Sequence, residues 1–138
     1  MTTAREIMST GVSCVSTRDT VMDAARKMAS ESVGALPICG EDGRLKGMLT
    51  DRDIVVKVLA QGKDPQTVSA GELMQGEAVT IGADDDAAEI MRTMAGHKVR
   101  RLPVIDGHDL VGVVAQADVA RALDHPQVGQ LMEALSND

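Results

Sequence analysis

The chain contains itself twice. The stretch ALPICGEDGRLKGMLTDRDIV, Ala35 to Val55, returns as RLPVIDGHDLVGVVAQADVA, Arg101 to Ala120. A repeat has to be weighed before any motif, because each motif then comes with an internal copy against which it can be read. Pro37 aligns with Pro103, Gly47 with Gly112 and Asp53 with Asp118, and upstream Glu6-Ile7-Met8 aligns with Glu72-Leu73-Met74. The register shortens by one residue between Gly40 and Arg44, where a hairpin turn tolerates the loss.

Each copy carries the same sequence of patterns. Val21, Ala24, Ala25 and Met28, and likewise Ala87, Ile90, Met91 and Met94, recur at the spacing of one helix face, so each half is expected to hold an amphipathic helix. Apolar runs follow at Leu36 to Cys39 and Leu45 to Leu49, then at Leu102 to Ile105 and Leu110 to Val114, separated by Asp42-Gly43 and Asp106-Gly107. Turn residues between short apolar runs predict hairpins. A second helix is expected to start near Asp51 or Gln116. The expected organisation is an α/β chain of two repeats, residues 1–59 and 70–124, joined by a connector at 60–69 whose Gly, Pro and Ser give it no periodic face. Residues 125–138 are expected to form a tail with one short helix, set off by Pro126. The two repeats are expected to share a core about a pseudo-twofold axis.

Composition narrows the function. The 138 residues include no Phe, Tyr or Trp and nine Met, so the core must be aliphatic with adaptable thioethers. Single-stranded nucleic acids lose their stacking platforms in such a chain, and the net charge of −7 opposes a phosphate backbone. No apolar run nears the roughly 18 residues that span a bilayer, and MTTAREIMST lacks the apolar centre of a signal peptide. We therefore expect no nucleic acid and no membrane partner, and a cytoplasmic location. Cys14 and Cys39 are expected as small core side chains on strands. A bridge between them is conceivable on one small sheet, with cytosolic reduction against it.

The leads TAREIM and AGELM, the strand openings ALPIC and RRLPVID, and the endings GMLTDRDIV and GVVAQADVA, all at matched offsets, resemble a tandem pair of CBS (cystathionine-β-synthase-type) domains over nearly the whole chain. This resemblance implies a β-α-β-β-α fold in each half and clefts for adenine-containing ligands such as AMP, ADP, ATP or S-adenosylmethionine. It also implies a homodimer and a sensory, non-catalytic role. With no fused effector expected, the signal must pass to an effector protein that the sequence does not name. An adenine nucleotide is expected as regulatory ligand and not as a cofactor.

Thr50 and Asp53 can be read in two ways. As N-cap and third helical residue they form a capping box that satisfies helix N–H groups without any ligand. As a sugar clamp, an ionised carboxylate accepts from two ribose hydroxyls while the Thr hydroxyl bonds the sugar or a nearby phosphate. The family pattern of Gly, two apolar residues, Thr and then Asp three later matches Gly47, Thr50 and Asp53, and favours the clamp. Ala115 stands where Thr50 stands in the other half. Asp118 is therefore expected to serve a weaker site, with Gly34, Ala35 and Ser13. In nucleotide-binding members the positions two and three before the Pro contact phosphates; here Arg100 and Arg101 hold them, with guanidinium forks suited to that anion. The stronger site thus combines Thr50, Asp53, Arg100 and Arg101, with Arg52 and Lys98 adding charge at its edge. Val79, on the strand opening the second repeat, is expected to face the base.

Two other readings rank lower. His97, His108, His125, Cys14 and Cys39 are potential metal donors, but none are spaced as ligand pairs, and no metal site is expected. There is no nucleophile elbow or phosphate loop, so no enzyme is expected. The serious rival is a CBS pair that binds no ligand and serves as a dimerisation or interaction module, with a structural metal as one variant. Ile54, Val55, Val58 and Leu59 would then give its apolar face.

Overall fold

The computed structural model describes residues 2–11, 13–74, 78–122 and 133–135. Within them the helical periodicities become α2 (Val21–Glu31) and α4 (Ala87–His97). Each helix starts at a side-chain cap: Thr20 accepts from the Asp23 N–H in a capping box, and Asp86 accepts from the Glu89 N–H. Each ends at a left-handed residue, Ser32 at φ 56° and Lys98 at φ 53°, which closes the last turn. Val21, Ala24 and Met28, and in the other copy Ala87, Ile90 and Met94, are buried, as the 3.6-residue period requires.

The apolar runs form two three-stranded sheets of identical topology. In one, β1 (Val15–Ser16) lies parallel to β2 (Ala35–Cys39), which pairs antiparallel with β3 (Leu45–Thr50). In the other, β4 (Ile81–Gly82) lies parallel to β5 (Arg101–Asp106), which pairs antiparallel with β6 (Asp109–Ala115). The parallel pairing requires a crossover, which α2 and α4 supply. Gly107 adopts φ +64° in the two-residue loop after Asp106, a conformation glycine takes without a Cβ penalty. Lys98 caps α4, and β5 begins only at Arg101.

Both hairpins run directly into helix, into α5 (Gln116–Ala122) after β6 and into α3 (Asp51–Asp53) after β3. After α3 the coil continues as a π-helix over Ile54–Leu59. Ile54 and Val58 are buried there, while Val55, Val56 and Leu59 are exposed. The single apolar face expected from Ile54, Val55, Val58 and Leu59 is therefore divided, with two of its members spent on the core.

The chain forms two compact units, Ser13–Ala78, and Met1–Val12 together with Val79–Asp138. Buried residues accordingly fall into two clusters. One gathers Val15, Leu36, Ile38, Leu49 and Ala70 among others, and the other gathers Ala4, Ile81, Ile90, Leu102 and Val114 among others. Each repeat's lead is built into the unit that holds the other repeat's sheet. In one unit α1 (Ala4–Ile7) is fixed by Ala4 N–H to the Asp85 carbonyl at 2.8 Å and Arg5 N–H to the Ala83 carbonyl at 2.9 Å. In the other, the 3₁₀ turn Ala70–Leu73 is fixed by Ala70 N–H to the Asp19 carbonyl at 2.7 Å and Gly71 N–H to the Thr17 carbonyl at 3.0 Å. Arg5 adds a bond to the Asp106 carboxylate at 3.0 Å.

Cys14 and Cys39 are joined as a disulfide, with their Cα atoms 5.8 Å apart. The expectation of two free core thiols is corrected. Pairing Val15 with Ile38 across β1 and β2 brings the flanking cysteines within bridging distance. Of the expected tail, residues 133–135 are helical and Leu135 is buried in the second cluster; Pro126, His125 and the rest of the tail's expected helix lie outside the described residues.

Candidate functional site

The junction of β3 and α3 carries Thr50 and Asp53. Thr50 Oγ1 accepts from the Asp53 N–H at 3.1 Å, and Asp53 Oδ2 accepts from the Thr50 N–H at 3.0 Å. Both halves of the capping box are made. The second carboxylate oxygen, Oδ1, lies 3.1 Å from the Lys57 ammonium. Burial works to raise the Asp53 pKa, but the Thr50 backbone donor, Lys57 and the Thr50 side chain outweigh it and hold the carboxyl below its ordinary value. The group is therefore an anion at neutral pH and an acceptor only.

This geometry leaves both readings of the pair chemically open. The Thr50 hydroxyl accepts from the Asp53 N–H and also favours the Asp53 anion; the carboxylate has about four lone-pair sites, more than its Thr50 N–H and Lys57 contacts use. Gly34 and Ala35 lie across the hairpin from this junction, with Ala35 in register with Thr50 and the Gly34 carbonyl accepting from the Asp51 N–H at 2.9 Å. A Cβ at Gly34 would sit 3.1 Å from Asp51 Oδ2, so the backbone here is closely approached by an acid. Arg52 is exposed on α3, and Ser13 precedes β1 in the same unit.

The other unit repeats the plan with one part missing. Asp118 Oδ2 accepts from the Ala115 N–H at 2.7 Å, but Ala115 has no hydroxyl to receive the Asp118 N–H, so half the capping box is made. The Asp118 carboxylate is also bonded to Arg121, and the residue is buried. Arg100 accepts the Gln116 N–H on its carbonyl at 2.8 Å, and Arg101 pairs with Ala115. Arg100, Arg101, Ala115, Gln116, Ala117 and Ala120 line a cleft of about 490 Å³. The size suits a small-molecule ligand, and the two guanidiniums give it cationic donors for a phosphate. Lys98 is exposed at the end of α4, and Val79 packs against the core just before β4 and not within it.

The structure thus brings Thr50 to Asp53 within one unit, and Arg100 and Arg101 to the α5 start in the other. Sequence reading passed over Lys57 and Arg121, the cations that touch the two acids. Their spacing, four residues after Asp53 and three after Asp118, was the available signal, since such pairs meet on a helical coil. Among the described residues no three His, Cys, Asp or Glu side chains gather as a metal would need.

Comparison with known proteins agrees with the fold at every level. The CBS domain family model matches residues 4–60 and 70–125. Hypoxic response protein 1 of Mycobacterium tuberculosis is 50% identical over 135 residues, 98% of this chain and 94% of that protein. The CBS domain-containing protein YhcV of Bacillus subtilis is 42% identical over 120 residues, 87% of this chain and 84% of its own length. Among solved structures, Hypoxic Response Protein I with two coordinated zinc ions superposes with a TM-score of 0.83 at 52% identity, covering 89% of this chain and all of that one. The CBS domain pair of protein MJ0100, in complex with 5′-methylthioadenosine and S-adenosyl-L-methionine, superposes with a TM-score of 0.79 at 28% identity, covering 88% and 95%. Two copies of one β-α-β-β-α unit, each ending in a strand-to-helix acid, make the chain a tandem CBS pair, a member of the CBS domain family.

Proposed function

We propose that this CBS pair is a non-catalytic sensor that binds an adenosine nucleotide of the AMP, ADP or ATP class. Thr50 and Asp53 take the ribose hydroxyls, Arg100 and Arg101 take phosphate, Val79 lies against the adenine, and Arg52 and Lys98 add positive charge. Asp118, with Gly34, Ala35 and Ser13, serves the weaker second site. The observation that carries the reading is the Thr50–Asp53 pair: an ionised, half-buried carboxylate with acceptor capacity beyond its capping-box bond, set beside a hydroxyl at the strand-to-helix junction. A carboxylate with spare lone pairs accepts from the two hydroxyls of a diol. Adenosine compounds bound to the MJ0100 pair support the same ligand class. Output is by population shift: a ligand that prefers one arrangement of the chain, or of a homodimer, alters the surface an effector protein reads.

Thermal unfolding monitored by circular dichroism tests the reading. Nucleotide at a hundred times its dissociation constant stabilises a protein by about 2.7 kcal/mol. Asp53→Asn should lose that gain, whereas a gain unchanged in Asp53→Asn would refute the assignment.

A second reading has its own observation. The 52% identical Hypoxic Response Protein I holds two zinc ions, which favours an interaction module with a structural metal. The donor set here does not fit such a site within the described residues of one chain, because no three donors gather and Cys14 and Cys39 are bonded to each other. The same bridge bears on location. Among the described residues no helix is long and apolar enough to cross a membrane, and we keep the cytoplasm as the proposed setting. Cytosolic thiols are held reduced, so the thiol count of protein recovered from cells decides whether the bridge exists there.

A further inference from the structure

Both carboxylate oxygens of Asp53 are engaged. Oδ2 accepts from the Thr50 N–H and Oδ1 from Lys57 Nζ at 3.1 Å. A vicinal diol bonding the carboxylate through both oxygens needs Oδ1, the oxygen the ammonium already holds. Lys57 is well placed to yield: its side chain is 33% exposed, so its ammonium regains water as it withdraws, and its flexible four-carbon stem permits the movement. The same arrangement recurs at the other acid. Asp118 Oδ1 is held by Arg121, from a position three residues on and not four. In the repeat alignment Lys57 corresponds to Ala122 and Arg121 to Val56, so non-equivalent positions put a cation on each acid.

We propose that Lys57 is a specificity-determining latch on the Asp53 site, one that makes the site choose nucleotides over nucleosides. The inference rests on Asp53 as the ribose acid. Adenosine, being neutral, must displace the ammonium and offers it nothing in return. A nucleotide displaces the same contact but brings an anion with which the freed ammonium interacts. Partly exposed ion pairs are worth up to about 1 kcal/mol, so the latch should change adenosine affinity by roughly two- to five-fold.

The test is calorimetric titration of adenosine and AMP into the full chain, its Lys57→Met and Lys57→Gln variants, and Asp53→Asn, with circular dichroism confirming that each is folded. We expect both Lys57 variants to bind adenosine two- to five-fold more tightly, AMP no more tightly than the unmodified chain, and Asp53→Asn to bind neither. If Asp53→Asn abolishes AMP binding but the Lys57 variants bind adenosine no better, or bind none at all, the latch is overturned and the site stands. If AMP fails to bind the unmodified chain, or binds Asp53→Asn equally well, the site itself is overturned and the latch with it.

Discussion

Gly47 and Gly112 occupy the same place in the two repeats, yet their surroundings differ, and alanine at each should separate them. A Cβ on Gly112 would lie 2.5 Å from Met8 Sδ and 2.7 Å from the Ser9 carbonyl oxygen. The thioether is flexible, but Ser9 is held, its N–H donating to the Val113 carbonyl at 2.9 Å and its carbonyl accepting from the Val113 N–H at 3.1 Å. The lead can retreat only by breaking that pair of bonds. A Cβ on Gly47 would meet Met74 Cγ at 3.4 Å, Met74 Cβ at 3.8 Å and Ile38 Cδ1 at 3.9 Å, ordinary contacts with side chains. Neither glycine has positive φ, so alanine should also gain about 0.4–1 kcal/mol from a stiffer unfolded chain. Overpacking against a fixed backbone costs about 1–3 kcal/mol. Gly112→Ala should therefore be net destabilising, by up to about 2.5 kcal/mol, while Gly47→Ala should be neutral or slightly stabilising. Urea unfolding followed by far-ultraviolet circular dichroism measures both, since no aromatic fluorophore exists. Amide exchange at Ser9 and Val113 should quicken in Gly112→Ala alone. Equal stabilities for the two variants, within about 0.5 kcal/mol, would refute the close seating of the lead on β6.

Three further outcomes follow from the junctions and the bridge. Thr50→Ala should destabilise by about 0.5–2 kcal/mol through the lost cap, and Ala115→Thr, supplying the hydroxyl Asp118 lacks, should stabilise by a similar amount; urea midpoints check both. The Asp53 carboxyl is held below its ordinary pKa, so its contribution is present above the unfolded value near 4 and lost as pH falls through the lower folded value. Stability measured against pH should therefore drop less steeply on the acid side in Asp53→Asn. Cys39→Ser opens a bridge spanning 25 residues and should cost about 3.5 kcal/mol on loop entropy, with a reducing agent lowering the melting temperature of the parent chain to match.

Much of the fold was legible because two periodicities are repeated. Val21, Ala24 and Met28 set one helix and their counterparts in the second copy set the other. Asp42-Gly43 and Asp106-Gly107 marked both hairpins. The exchange of lead segments was not legible, since TAREIM and AGELM look alike and similarity does not say which sheet each joins. The glycine at Gly112 was a signal of close approach, visible only once the neighbour is known. The Cys14–Cys39 bridge followed from strand pairing but was set aside on grounds of compartment, which strand geometry does not register. The π-winding of Ile54–Leu59 left no signature in the run IVVKVL, and it is this coil that buries Ile54 and Val58 while exposing Val55 and Leu59. At the site, the residue types of Thr50 and Asp53 were readable, and the partner cation Lys57 was signalled only by its spacing four residues after Asp53.

The central claim is that Asp53 binds ribose, and calorimetric titration of AMP, ADP and ATP into the unmodified chain, Asp53→Asn and Asp118→Asn tests it most directly. We expect at least one nucleotide to bind the unmodified chain, Asp118→Asn to retain that binding, and Asp53→Asn to lose it. No heat from any of the three, across a range that detects about −6 kcal/mol or tighter, would contradict the claim and leave Thr50 and Asp53 as a helix cap.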